Sequence, residues 1–179
     1  MTAPAPVAPH VCVPVFAESP PVAAAEARTV ASLLVSAIEA VARTRRLTVL
    51  ADALLIEVAA LLSGAQISVV VVCDAGGVPV GTITETVLVR CLGLGQAEFF
   101  STHAGEVMTR EFVTCAPQDS LSDVLAMMHA QGLIHVLLVG ADRQLLGVVY
   151  ARDGLRALLA AGNQEEELLR NYVMGVGYQ

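Results

Sequence analysis

The chain has 179 residues and a formal net charge of −7, with hydrophobic residues at 55% and charged residues at 15%. A mean hydropathy of +0.67 exceeds that of an average soluble domain, yet no uncharged apolar run approaches the roughly 18–20 residues that a membrane span needs. The acidic balance and the scattered lysines and arginines argue against a nucleic-acid partner, and the excess apolar surface predicts burial in oligomer contacts.

Residues 1–27 are rich in proline, alanine and valine, which favours an extended or flexible tail. His10 and Cys12 lie in this tail and could form half of a metal site, but no second pair follows at ligand spacing, so we predict no metal. The N-terminus has no basic region before an apolar core, and the four cysteines show no CxxC spacing. These features predict a protein of the reducing cytoplasm.

A leading helix is predicted over residues 28–42. Its apolar residues recur at spacings of three and four, as in an amphipathic helix; they are Val30, Leu33, Leu34, Ala37, Ile38 and Val41. A shorter segment at residues 104–108 is expected to be the counterpart of this helix later in the chain.

The chain contains an internal repeat. Residues 41–92, moved forward by 66 positions, align with residues 107–158 without a gap, and ten positions are identical. Most other apolar positions exchange only with apolar residues, so the two segments, called here the first and second copy, share a burial pattern. Copies of about 50 residues are marginal as separate folds, so we expect one module in which they pair about a pseudo-two-fold axis. The groove between the copies is then the expected functional site.

Each copy is predicted to fold as strand, helix, strand, strand and helix. In the first copy the predicted strands are 47–50, 68–73 and 78–84; one predicted helix follows Asp52 and the other occupies 85–92. In the second copy the predicted strands are 112–115, 134–139 and 144–150; one predicted helix follows Asp119 or Ser120 and the other occupies 152–161. Asp52, and Asp119 or Ser120, are the expected helix caps. The middle strand of each copy is apolar throughout, which is typical of strands covered on both faces.

The C-terminal region is predicted to contain a separate helix. Gly162 and Asn163 are expected to end the last helix of the second copy, and residues 164–170 are expected to form a further amphipathic helix on the surface of the module. The predicted division is a tail at 1–27, the first repeat with its leading helix at 28–98, the second repeat at 99–161 and a C-terminal helical tail at 162–179.

Three phrases carry a family resemblance: VMTR at 107–110, VTCAPQDSL at 113–121 and GVVYARD at 147–153. Together with the order of elements, they resemble the cystathionine beta-synthase (CBS) domain, and the pair is similar to a Bateman module over about residues 29–161. The ending at 171–178 is similar to the tails of small stand-alone bacterial CBS-pair proteins, so we expect a whole protein. The resemblance implies an α/β fold in which two β-α-β-β-α repeats leave two clefts for AMP, ADP, ATP, NAD or S-adenosylmethionine.

The ligand-binding motif of the family is divided between the copies. The motif consists of Gly, an apolar residue, any residue, Thr or Ser, two further residues and Asp. The Asp carboxylate suits ribose hydroxyls, while the hydroxyl of the Thr or Ser and the helix N-terminal amides suit phosphate. In the first copy Thr84 supplies the hydroxyl, but Val87 replaces the Asp. In the second copy Asp153 is present, but Tyr150 replaces the hydroxyl. Asp153 therefore marks the better cleft.

The resemblance implies a set of candidate ligand-binding residues. These are Asp153, Arg152 facing phosphate, Tyr150, Thr114, Cys115 and Pro117 from the first strand of the second copy, Ile134, His135 and Val136 at the base edge, and Thr84 of the first copy. Structural explanations stay open for several of them. Asp153 could be only a helix cap, Tyr150 could fill the cleft, His135 could be a core histidine, and Thr84 could serve β propensity.

The sequence does not predict an enzyme. No P-loop or GxGxxG opens a helix, and Cys115 with His135 is the only pair to consider for nucleophilic chemistry, although Cys115 is better explained as a buried small hydrophobe. We expect a regulatory ligand sensor that requires no cofactor, binds an adenine nucleotide, forms a homodimer and acts on an unidentified protein partner. The alternative is a dimerising scaffold with degenerate nucleotide sites.

Overall fold

The computed structural model describes residues 33–65, 67–93 and 99–175, with side chains up to residue 164. The predicted tail at 1–27, including His10 and Cys12, lies outside the described residues, as do residues 28–32 of the predicted leading helix. The helix was predicted to include residues 33 and 34, which is wrong, because Leu34 is extended and forms a β-bridge with Ser120. The helical part begins as a 3₁₀ turn, Val35–Ile38, and continues as helix α1, Glu39–Thr44.

Both copies have the predicted order of elements. The first copy continues with β1 (Thr48–Leu50), α2 (Leu55–Ala65), β2 (Val69–Cys73), β3 (Pro79–Thr84) and α3 (Glu85–Gly93). The second copy has α4 (Ala104–Val107), β4 (Thr114–Cys115), α5 (Leu121–Ala130), β5 (His135–Val139), β6 (Leu145–Tyr150) and α6 (Ala151–Gly175). The short helix α4 is the expected counterpart of the leading helix.

Each copy forms one three-stranded sheet, in the orders β1-β2-β3 and β4-β5-β6. The first two strands of each sheet are parallel and the last two are antiparallel. The registers are equivalent, because Val69 pairs with Thr84 in one sheet and His135 pairs with Tyr150 in the other. The predicted α/β fold with two β-α-β-β-α repeats is confirmed.

The sheets face each other through a shared apolar core. Along β2, Val69 and Val71 point into this core, where they pack with Leu137 and Val148 of the second sheet. Val70, like Val72, points to the opposite face, toward helices α2 and α3. All five residues of β2 are buried, so the prediction of a strand covered on both faces is confirmed for this copy.

The leading helices are exchanged between the copies. Ala42 of α1 is buried in the outer core of the second copy, and Ala104 of α4 is buried in the outer core of the first. The exchange explains the glycine that both copies share. A Cβ atom at Gly147 would lie 2.5 Å from the carbonyl carbon of Ala42, and one at Gly81 would lie 2.5 Å from the sulfur of Met108. A side chain at Gly147 would therefore collide with the backbone of the crossing segment, whereas one at Gly81 would displace only the side chain of Met108.

The predicted cap of α5 is confirmed and that of α2 is wrong. The Ser120 hydroxyl accepts a hydrogen bond from the backbone N–H of Asp123 at 3.5 Å. Asp119 lies one residue too early and instead accepts from the N–H of Ala116. Helix α2 begins at Leu55, so the exposed Asp52 lies in the preceding turn. The backbone N–H of Leu55 instead donates to the carbonyl of Thr102, a long-range contact that the local sequence does not reveal.

The predicted end of the last helix at Gly162 is also wrong. Helix α6 runs without a break from Ala151 to Gly175 and includes residues 164–170. A glycine inside a helix costs about 1 kcal/mol relative to alanine. The surrounding residues, which are mainly alanine, glutamate and leucine, favour helix strongly enough to offset this cost.

Candidate functional site

A cleft of about 480 Å³ lies where the two closing helices, α3 and α6, begin. We call it the closing-helix cleft; its lining residues are Ser68, Glu85, Ile134, Tyr150, Ala151 and Arg152. Ser68 and Ile134 precede the middle strands of the two copies, and Glu85 and Ala151 begin the two closing helices. The cleft therefore lies on the pseudo-two-fold axis, as the repeat predicts. Its volume is within the range of small-molecule sites.

Tyr150 forms one wall of this cleft and also belongs to the core between the sheets. It is 5% exposed, and its hydroxyl accepts a long hydrogen bond of 3.4 Å from the hydroxyl of Ser68 in the other copy. The guanidinium of Arg152 lies 5.1 Å from the centre of the Tyr150 ring, within the range of a cation–π contact. Tyr150 thus fills space between the copies and supports a cation at the mouth of the cleft.

Asp153 occupies the first turn of α6 and is 9% exposed. Since α6 begins at Ala151, Asp153 is inside the helix and is not its N-cap. Its Oδ2 lies 3.4 Å from Nε of Arg45, and its Oδ1 lies 3.9 Å from Nε of Arg152. Asp153 does not line the closing-helix cleft but faces Arg45, which follows the leading helix of the first copy.

His135 lies next to Tyr150, with the two ring centres 5.9 Å apart. Burial lowers the pKa of His135 below its ordinary value, and its Nδ1 is buried without a hydrogen-bond partner. The imidazole is therefore neutral near neutral pH, so it can contact a base or sugar but does not supply a positive charge for phosphate.

The other predicted site residues are not brought together. Val136 and Cys115 are buried in the outer core of the second copy, and Thr114 is an exposed residue of β4 that pairs with Leu137. The carbonyl of Pro117 accepts a hydrogen bond from the N–H of Ser36, so the 3₁₀ turn crosses the chain at this point. Thr84 ends β3 beside Glu85 and does not line the cleft.

A comparison with models of protein families identifies the family of this chain. The model for the CBS domain matches twice, at residues 37–93 and 104–160, which together make up more than half of the chain. The chain belongs to the CBS-domain family. No curated protein matches the sequence.

Solved structures of other CBS pairs share the fold. A CBS-domain containing protein from Agrobacterium tumefaciens is 26% identical, with a TM-score of 0.60 over 69% of this chain and 97% of that chain. The CBS domain pair of protein MJ0100, solved with 5′-methylthioadenosine and S-adenosyl-L-methionine, is 23% identical with a TM-score of 0.60 over 70% and 99% of the two chains. CBSX2, solved with AMP, is 19% identical with a TM-score of 0.58 over 66% and 89%.

Three residues of the candidate site in this CBS pair were not predicted: Ser68 and Glu85, which line the closing-helix cleft, and Arg45, which faces Asp153. Ser68 and Glu85 are the repeat equivalents of Ile134 and Ala151, so the 66-residue shift could have found them. Arg45 was missed because it reaches Asp153 only through the exchange of the leading helices, for which the sequence gives no local signal.

The CBS pair has a second cleft, of about 490 Å³, at the other end of the sheet interface. It lies beside the hairpin turns, and its lining residues are Arg46, Thr48, Val49, Leu50, Cys73, Asp74, Ala75, Gly77, Gln144 and Leu145. Burial and the carboxylate of Asp74 raise the pKa of Cys73. None of the predicted site residues lies here. The motif position of the first CBS copy is filled by Val87, which is 7% exposed and packs in the outer core.

The described residues show no cluster suited to metal binding, and the thiol of Cys115 is not activated. They contain no group of three or more His, Cys, Asp or Glu that could hold a metal ion. Burial, with a smaller effect from Asp119, raises the pKa of Cys115 to about 12, so its thiol is protonated at neutral pH and is a poor nucleophile. Over the same described residues, no helix is long and apolar enough to cross a membrane.

Proposed function

We propose that this CBS pair is a regulatory module that binds an adenosine-containing ligand in the closing-helix cleft, with its ribose reaching Asp153, which does not line the cleft itself but contacts Arg152, which does. The observation that carries the proposal is the Asp153 carboxylate, which is buried at the start of α6 with its Oδ2 lacking a hydrogen-bond partner. A buried carboxylate oxygen without a partner is costly, and a ribose hydroxyl is a donor that can satisfy it. The hydroxyls of AMP, ATP or S-adenosylmethionine all meet this requirement.

The related structures support the ligand class. CBS pairs of this fold have been solved with AMP, with ATP and with 5′-methylthioadenosine and S-adenosyl-L-methionine. The shared chemical group of these ligands is adenosine. The motif residue that this chain retains, Asp153, is the one suited to the ribose of that group.

Thermal unfolding with AMP, ADP, ATP, NAD and S-adenosylmethionine tests the proposal. A ligand at 100 times its dissociation constant adds about 2.7 kcal/mol, which raises the midpoint by roughly 5–10 °C in a chain of this size. We expect Asp153→Asn to abolish the rise. The matched control is Asp123→Asn, since Asp123 is an exposed carboxylate in the first turn of α5. A rise of equal size in Asp153→Asn, or no rise with any ligand at millimolar concentration, would contradict the proposal.

A dimerising scaffold is the second candidate, and the position of Tyr150 favours it. Tyr150 takes the place of the motif hydroxyl and is nearly fully buried between the copies, so it occupies space that a ligand could use. If the protein is such a scaffold, we expect the natural protein not to bind nucleotides and the variant Tyr150→Ser to bind them. If Tyr150→Ser shows no binding either, degeneracy at this position does not explain the absence of a ligand.

We further propose that the closing helices form a homodimer contact. Apolar side chains on their outer surfaces are exposed, with Val89 at 67% and Leu92 at 58% on α3, and Leu155 at 53% and Leu159 at 69% on α6. Val89 and Leu155 are repeat equivalents, so the exposed patches are related by the same pseudo-two-fold axis and suit a symmetric partner. A second copy of the chain would cover them.

Size-exclusion chromatography with light scattering tests the homodimer. We expect the natural protein to be dimeric and the double variant Val89→Glu with Leu155→Glu to be monomeric. Val41→Glu is the control, because Val41 is also exposed, at 42%, but lies on α1. A monomeric natural protein, or a double variant that remains dimeric, would contradict this contact.

A further inference from the structure

Arg45 and Asp153 form a partly buried ion pair that is incomplete. The Asp153 side chain is 8% exposed and that of Arg45 is 30% exposed, with 3.4 Å between Nε and Oδ2. Both of these atoms are inaccessible to solvent, and neither has a hydrogen-bond partner. The two charges compensate each other, but a buried donor and a buried acceptor remain unsatisfied.

The elements that hold the two groups belong to different copies. Arg45 directly follows α1, whose backbone packs against Gly147 of the second copy. Asp153 is held by α6, which packs on α5 through Gly154. Both groups are therefore held by packed backbone, and the ion pair links the leading helix of one copy to the closing helix of the other.

Breaking this pair has a cost that depends on the ligand. When one partner of a buried charge pair is lost, the remaining charge is left uncompensated, which is strongly unfavourable. A neutral nucleoside whose ribose hydroxyls engage Asp153 would weaken the contact with Arg45 and offer it no anion. A ligand that also carries a phosphate would give the guanidinium a new partner of a kind that it binds well.

We propose that Arg45 is a specificity-determining residue, which neutralises Asp153 in the empty module and binds the anionic group of the ligand once the ribose engages Asp153. This inference rests on the proposed function above and narrows its ligand class to phosphorylated adenosines. The other charged groups near the site are Arg152 and Glu85. The side chain of Arg152 is 58% exposed and that of Arg45 is 30% exposed, so solvent screens Arg152 more strongly and the preference for an anionic ligand depends mainly on Arg45.

Isothermal titration calorimetry with AMP and adenosine tests the role of Arg45. We expect the natural protein to prefer AMP, and Arg45→Met to reduce that preference by about 10- to 100-fold, the effect of one charge-assisted hydrogen bond. Arg45→Lys should retain most of the preference, because it keeps a cation beside Asp153. Arg43→Met is the matched control, since Arg43 is exposed on α1 and pairs with Glu39.

The outcomes separate this inference from the proposed function. If Arg45→Met weakens AMP and adenosine by the same factor, or changes neither, Arg45 does not select the ligand, although the module still binds adenosine. If neither ligand binds the natural protein, Arg45→Met or Arg45→Lys, the role of Arg45 is wrong, and thermal unfolding with the remaining ligands decides the proposed function separately. Circular dichroism spectra of the variants show whether each one is folded. Arg45→Lys keeps the test decisive if Arg45→Met does not fold.

Discussion

The exchange of leading helices predicts that the two repeat-equivalent glycines differ in their tolerance of alanine. At Gly147 a Cβ atom would lie 2.5 Å from the carbonyl carbon, 2.6 Å from the carbonyl oxygen of Ala42 and 2.8 Å from the nitrogen of Arg43. Ordinary contacts are about 3.5–4.0 Å, so the backbone of α1 would have to move by about 1 Å. At Gly81 the nearest atoms are Sδ and Cγ of Met108, a flexible side chain that can change rotamer.

We therefore expect Gly147→Ala to lower the free energy of unfolding by about 3 kcal/mol, the upper end of the cost of overpacking, and Gly81→Ala by about 1 kcal/mol. Gly64→Ala is the control, because Gly64 lies in α2 with no atom within 4 Å of an added Cβ, and it should stabilise by about 0.5–1 kcal/mol. Urea unfolding followed by circular dichroism measures all three. A cost at Gly147 no larger than that at Gly81 would refute close backbone packing of α1 on β6.

Three further predictions concern the buried core. Cys115, whose pKa is raised to about 12 by burial, should resist alkylation by iodoacetamide at pH 8 until the protein unfolds; rapid labelling detected by peptide mass spectrometry would contradict this. Burial lowers the pKa of His135 from its ordinary value of 6.5, so below that pH the unfolded chain binds a proton that the folded chain does not, and stability falls. His135→Gln should lose less stability than the natural protein between pH 7.5 and 5.5, and an equal slope for the two proteins would contradict burial of His135. Tyr150→Phe should cost less than about 1 kcal/mol in urea unfolding, because only one long hydrogen bond to Ser68 is lost, and a larger loss would show that the hydroxyl contributes more than its geometry suggests.

The fold could be predicted because the same pattern of apolar residues occurs in both copies of the repeat. The middle strand of each copy is apolar, apart from His135 at the start of β5, and the register of β2 with β3 is repeated in β5 with β6. Features that depend on local sequence, such as the Ser120 cap, were predicted correctly. The prediction that Asp52 caps α2 was wrong because the backbone N–H of Leu55, which begins the helix, donates to the carbonyl of Thr102, far along the chain. The prediction that Gly162 ends the last helix was wrong because the helix propensity of its neighbours outweighs the cost of one glycine.

The candidate site was harder to predict because it is assembled across the repeat. Family resemblance identified Asp153 and Arg152, which lie side by side, and Tyr150, which the structure places between the sheets. It did not identify Arg45, since no motif contains it. The leading helix carries Arg45 to the other copy, and the identical glycines at 81 and 147 were the only trace of that crossing in the sequence. A residue conserved between two copies of a repeat can therefore report a contact between them, here the one that positions the counter-ion of Asp153.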